Sequence, residues 1–221
     1  MLNTNKIIKP WTLNFKAFFM LCVFFSINIS VGAQNVLEKK ILADEIETIS
    51  IHGNQIFSIS ISTSKTDYIT IKSTLDGEYQ NQFQIITEGE NDKLKLSLER
   101  MSFAVIADDK RNAHKVIAAT LHLVIPEDLS LNIFSDICSV SLNGNYNLLS
   151  IELLQGYCEV IGTVNNATIN TIDGDINVVT QSAIIDANSN NGNIVLGEFS
   201  ISNSVWKLRT INGDITVVKP E

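Results

Sequence analysis

The sequence predicts an all-β solenoid, with short strands wound into stacked coils of about 18–21 residues, a period typical of repeat architectures. Two features of residues 129–221 carry the prediction. Polar corners recur at Ser135-Asp136, Gln155-Gly156, Asp173-Gly174, Asn191-Gly192 and Asn212-Gly213, and successive corners lie 20, 18, 18 and 21 residues apart. Apolar and polar residues alternate on both sides of each corner, the period-two signature of half-buried strands.

The register follows by counting from Asp136, Gly156, Gly174, Gly192 and Gly213. Seven residues earlier stand Leu129, Leu149, Ala167, Ile185 and Trp206; five earlier stand Leu131, Ile151, Ile169, Ala187 and Leu208. Two residues later come Cys138, Cys158, Ile176, Ile194 and Ile215; four later come Val140, Val160, Val178, Leu196 and Val217. Coils stacked in chain order would join these columns into one apolar interior. The corner glycines Gly156, Gly174, Gly192 and Gly213 fit a sharp turn through positive φ. One coil cannot stand alone: each inward side chain contributes roughly 1.5–3 kcal/mol, whereas ordering the backbone costs on the order of 1–2 kcal/mol per residue. Pairing with neighbouring coils must close the gap.

The amino-terminal stretch reads as a secretory signal peptide over residues 1–33. Lys6, Lys9 and Lys16 precede an apolar run from Ala17 to Ile29, and Val31-Gly32-Ala33 offers a small-residue cleavage site. The run falls short of the ~20 residues that span a bilayer. Cys22 lies inside it rather than at its end, which argues against a lipoprotein-type cleavage. The expected product is an exported protein, periplasmic, cell-surface or extracellular, in an oxidising compartment and without a membrane span after cleavage.

Residues 34–221 form one expected domain, since only three prolines and no low-complexity run interrupt the chain. Three of the 16 basic residues leave with the signal segment, so about a dozen face 24 acidic ones. That balance excludes nucleic acid and anionic lipid as natural partners. Lys219-Pro220-Glu221 would blunt the open edge of the last coil, so a monomer is expected.

Before the regular coils, Ile49-Ile51, Phe57-Ile59-Ile61, Ile69-Ile71, Phe83-Ile85, Leu94-Leu96-Leu98 and Leu121-Leu123-Ile125 each mark one face of a short strand. They read as wider, irregular coils of the same solenoid, with an antiparallel cap as the alternative. Met101–Ala119 breaks the alternation, and its charged middle reads as a projecting loop insertion.

Chemistry-bearing constellations are sparse. His52, His114 and His122 are scattered and match no metal-ligand spacing. There is no phosphate-cradling glycine loop, Cys-x-x-Cys pair or catalytic triad motif. Asp173, Asn191 and Asn212 share one corner column, and Asp175, Asn193 and Asp214 the next. In chain-order stacking Asn193 would separate Asp175 from Asp214, which spreads charge where a calcium ion needs six to eight converging oxygens. Glu152, Glu159, Lys207 and Arg209 stand without the paired carboxylates of glycan hydrolysis. No catalytic, cofactor or metal residue is therefore expected. Cys138 and Cys158 share an inward column on adjacent coils. A disulfide and a pair of buried thiols both fit them.

Pro126-Glu127-Asp128-Leu129-Ser130-Leu131-Asn132-Ile133, followed by corner units such as Gly174-Asp175-Ile176 and Gly213-Asp214-Ile215, resembles the exported bacterial β-strand-repeat proteins known as putative adhesins. These are related to the putative autotransporter adhesin domains of head GIN type. The resemblance covers roughly Glu45–Glu221 and is strongest after Pro126. It implies a right-handed β-helix-like fold and a cell-envelope or secreted location, and brings no catalytic residues. Three functions are open on this reading: a non-enzymatic adhesin-like binding or scaffold protein contacting carbohydrate or protein, a polysaccharide-cleaving β-helix enzyme, and a purely structural envelope component.

Overall fold

The computed structural model describes residues 35–76, 83–101, 118–200 and 202–220. The signal segment and the middle of the 101–119 insertion, with His114, lie outside them. The strands are β1 (Asn35–Leu42), β2 (Thr48–His52), β3 (Ile56–Ser64), β4 (Tyr68–Asp76), β5 (Phe83–Glu90), β6 (Lys93–Arg100), β7 (Ala118–Pro126) and β8 (Ser130–Ile137). There follow β9 (Ser139–Gln155), β10 (Cys158–Asp173), β11 (Ile176–Val179), β12 (Ile184–Ser189), β13 (Ile194–Leu196), β14 (Val205–Asn212) and β15 (Ile215–Val218). They join one open, all-β hydrogen-bonded system.

That system has two arms. One runs β5-β6-β2-β8-β9-β10-β14-β12, the other β1-β4-β7-β3-β9-β10-β11-β15-β13. Strands β9 and β10 belong to both because each bends midway, at Gly144 (φ 135°) and Gly162 (φ 140°). These two glycines are register partners. A Cβ on Gly162 would lie 1.9 Å from the Gly144 carbonyl oxygen, so no other residue fits. β9, β10 and β11 pair in parallel with a constant offset: Cys158 opposes Ile176 and Val160 opposes Val178, as Leu149 opposes Ala167 and Ile151 opposes Ile169.

The apolar columns close into a single core, in which Ile151, Ile169, Val160, Ile176, Trp206, Leu208, Ile215 and Val217 are fully buried. The expected column of Ile176, Ile194 and Ile215 is present, but its order is not that of the chain. β15 pairs with β11 on one side and β13 on the other, and β14 likewise lies between β10 and β12. The carboxy-terminal repeat is thus inserted between two earlier ones. Side-chain size supplies a reason: Trp206 stacks on the small Ala167, and the longer repeat with the bulkier inward residues takes the position covered from both sides.

Three further expectations are corrected. First, Ser135-Asp136 is not the first corner. Leu131 opposes Leu149 and Ser135 opposes Leu153, so Cys138 lies level with Gly156, whose Cβ would meet the Cys138 carbonyl at 2.0 Å. Ser135 points inward and is buried, its hydroxyl donating to the Gly53 carbonyl at 2.9 Å. Second, only Gly156 of the four corner glycines has positive φ, 123°. Gly174, Gly192 and Gly213 are required by proximity instead: a Cβ would sit 1.8 Å from Gly156 O, 1.8 Å from Gly213 O and 2.2 Å from Gly174 O respectively. Third, the amino-terminal region is only partly made of wider coils. β2 and β3 pair in parallel with β6, β8, β7 and β9, whereas β1-β4, β4-β7 and β5-β6 are antiparallel. This end is an antiparallel cap.

Candidate binding face

On the arm containing β2, β8, β9, β10 and β14, inward apolar residues alternate with an outer row. One outer column reads Ser50, Asn132, Ser150, Thr168, Lys207, Asp186 across successive strands. The next reads His52, Phe134, Glu152, Asn170, Arg209, Asn188. Phe134 breaks the polar pattern. It follows inward Ile133 in strict alternation, so its ring must face solvent, and it is 40 % exposed.

Two shallow depressions flank Phe134. One, of about 200 Å³, is lined by His52, Asn132, Phe134, Ser150 and Glu152. The other, of about 280 Å³, is lined by Phe134, Glu152, Leu154, Asn170 and Ile172. Leu154, Ile172 and Ile211, each two residues before its corner glycine, add exposed apolar surface. Both depressions are smaller than pockets that enclose a ligand, roughly 300–1,000 Å³. The surface can hold one face of a ligand against a ring and present amides and hydroxyls at its edge. The signal for this patch was in the sequence: Phe134 and the Leu154, Ile172, Ile211 set are apolar at outward positions. An alternation count that scores only the inward columns passes over them.

Side-chain ladders join neighbouring strands at the bend, at the far edge of the face and at the corners. Thr163 donates to Asn145 at 2.6 Å and Asn165 to Asn147 at 3.1 Å. Arg209 holds Asp186 at 2.6 Å, and that contact keeps the Asp186 carboxyl below the usual range. The corner carboxylates are closer together than expected. With β15 beside β11, Asp175 Oδ1 accepts the Asp214 N–H at 2.8 Å, and Asp214 Oδ1 accepts the Asn193 N–H at 2.7 Å. Asn212 donates to Asp173 at 2.6 Å and Asn191 to Asn212 at 2.7 Å. Their oxygens are engaged in joining repeats. Among the described residues no three His, Cys, Asp or Glu side chains converge on a common point. Glu159 accepts from Ser141 at 3.1 Å, and His122 lies 3.1 Å from Ser60 on the other arm.

Cys138 and Cys158 are buried thiols. They are not level with one another: Cys158 opposes Val140, and Cys138 lies level with Gly156. Desolvation pushes Cys138 up to about 12, and burial with the neighbouring Cys138 raises Cys158 as well. On residues 34–221, which lack Cys22, two alkyl groups are expected after unfolding without reduction and none in the folded state; mass spectrometry showing no uptake after unfolding would reveal a disulfide. The sign of the pH effect follows. Unfolded thiols ionise near 9.0 and folded Cys138 only near 12, so their contribution is complete below pH 9 and lost as pH rises through the folded value. Buried Tyr146, raised chiefly by desolvation, adds to the same alkaline loss, and a flat thermal midpoint between pH 9 and 12 would contradict it.

Neither a known family model nor a curated protein matches the sequence. Among solved structures, a putative cell adhesion protein from Clostridium sporogenes aligns over 85 % of this chain and 100 % of its own, with TM-score 0.60 and 13 % identity. A putative adhesin from Bacteroides fragilis covers 84 % of this chain and 97 % of its own at TM-score 0.39 and 11 % identity. One from Parabacteroides distasonis covers 86 % and 98 % at TM-score 0.30 and 12 % identity. These two are too distant in geometry to carry an argument. The chain shares the fold of the clostridial protein.

Proposed function

We propose that the chain is an exported, non-enzymatic, adhesin-like binding protein of the cell envelope, built as a right-handed β-helix-like solenoid, and that the face around Phe134 takes carbohydrate. The observation that carries this reading is one outward aromatic ring between two shallow depressions edged by Asn132, Ser150, Glu152 and Asn170. A sugar ring has an apolar face that lies on an aromatic and hydroxyls that reach amides and carboxylates at the rim. Glu152 is the one carboxylate lining either depression, which disfavours the two-carboxylate chemistry of glycan cleavage. The likeness in fold to a cell adhesion protein supports an adhesive role and an exported location, as does the signal-like segment of residues 1–33.

A glycan array with the purified protein is expected to show binding without release of shortened products. Phe134→Ala should weaken it about tenfold or more, as loss of a central aromatic contact does. No binding by the wild type, equal binding by the variant, or product release would each count against the reading.

A further inference from the structure

Because the carboxy-terminal repeat is inserted, the free end of the stack is not where the chain ends. It is formed by β12 and β13. The interior columns are open there: Ile194 is 41 % exposed while Ile176 and Ile215 in its column are 0 %, and Leu196 is 47 % exposed while Val178 and Val217 are 1 % and 0 %. Phe199 on the returning segment packs against this core in part, leaving those two side chains uncovered.

The edge also retains unpaired backbone groups. Ile215 N–H donates to Asn193 O and Gly197 N–H donates to Val217 O, both at the inner side. The N–H and C=O groups of Ile194 and Leu196 therefore point the other way, into the open. Nothing protects the edge by the usual means of lysine, proline or bulge. Within β12, β13 and the corner between them the single charged residue is Asp186, which Arg209 already neutralises, and the exposed Glu198 lies just beyond β13. Lys219 and Pro220 follow β15, which lies one strand in from β13.

The opposite end differs. There β1 and β5 lie outermost, and the β1 residue level with buried Ile71 is Lys39. Its ammonium reaches across to the Thr87 hydroxyl on β5. A charge at an inward position on an edge is a block to strand addition. Head-to-tail growth would have to bury that lysine against Ile194 and Leu196, so an open polymer is disfavoured.

We propose that the β12–β13 end is a self-association surface, and that its occupant is a second copy of this chain in a closed two-fold dimer. The two edge strands carry no charge that Arg209 does not already neutralise, and a two-fold axis at the corner keeps each Glu198, at the far end of β13, away from its own symmetry mate. β12 runs into the corner at Gly192 and β13 runs out of it. A two-fold axis through that corner lays β12 of each copy antiparallel beside β13 of its partner and seats Ile194 and Leu196 over the facing interior. Such an interface is self-complementary. It is also small, the end of one repeat, so its dissociation constant should be on the order of micromolar. The proposal is independent of the Phe134 face, which lies on an outer surface.

Sedimentation equilibrium of the purified protein over about 1–300 µM brackets that range. The expected result is a mass rising to twice the monomer and no further. Leu196→Lys and Ile194→Lys should each raise the dissociation constant at least about tenfold, the equivalent of one side chain left unburied. Both side chains are substantially exposed in the monomer, so each variant should keep the wild-type thermal midpoint at low concentration. A wild type that stays monomeric throughout, as it would if another molecule covers this end, overturns the proposal. Continued growth beyond the dimer, or a dimer untouched by both lysines, overturns it too.

Discussion

Gly174→Ala is expected to cost about 3 kcal/mol or more, at the upper end of overpacking effects. In a chain of this size that lowers the thermal midpoint by roughly 6–12 °C. The added methyl group would lie 1.8 Å from the carbonyl oxygen of Gly156. That neighbour is backbone inside a ladder paired on both sides and has no rotamer to change. Separating the two strands would disturb the hydrogen bonds from Gly156 N–H to Asp173 O and from Gly174 N–H to Asn212 O. Gly89→Ala is the control. No atom lies within 4 Å of its Cβ position, so the change should stay within about 0.5 kcal/mol. Equal midpoints for the two variants would mean that the corner glycines are not in tight vertical contact.

Trp206→Ala should cost about 3–5 kcal/mol, the range for a large aromatic removed from a core. Trp206 is 0 % exposed, faces Ala167 on one side and Ile185 on the other, and its indole N–H donates to the Ser204 hydroxyl at 2.8 Å. The magnitude tests the order of the repeats. Stacked in chain order, Trp206 would be on the last repeat with one flank in solvent, and its loss would cost about 1 kcal/mol, as for a partly exposed side chain. A denaturant midpoint shifted by only that much would argue for chain order. A loss of several kcal/mol with an unchanged m-value would support the inserted arrangement.

Much of the architecture was legible because alternation and a recurring corner are local signals. Inward Ile151, Ile169, Ile176, Val178, Leu208 and Val217 all lie where the count puts them. Order along the stack was not legible, because it is a contest between interchangeable partners. Every column is apolar, so Ile176 accepts Ile194 or Ile215 equally well in a one-dimensional reading. The choice rests on volumes, such as Trp206 over Ala167, that a hydrophobic pattern does not score. The first corner was misplaced for a similar reason. Ser135-Asp136 looks like a turn, but Ser135 is a buried inward residue satisfied by the Gly53 carbonyl, a partner 82 residues away. The bend at Gly144 and Gly162 escaped because each glycine sits inside a strand-like run, where only the level pairing of the two reveals its purpose. Phe134 was passed over because an outward aromatic reads as noise until the residues around it are known.

The placement of β14 and β15 bears on how the molecule comes apart. Strands β14 and β15, Val205–Val218, are gripped from above and below. At this end of the stack the strands held on one flank alone, β12 and β13, are internal to the sequence and tethered at both of their own ends. Peeling at this end must therefore begin as a loop lifting away, anchored by the strands β14 and β15 that follow it in sequence.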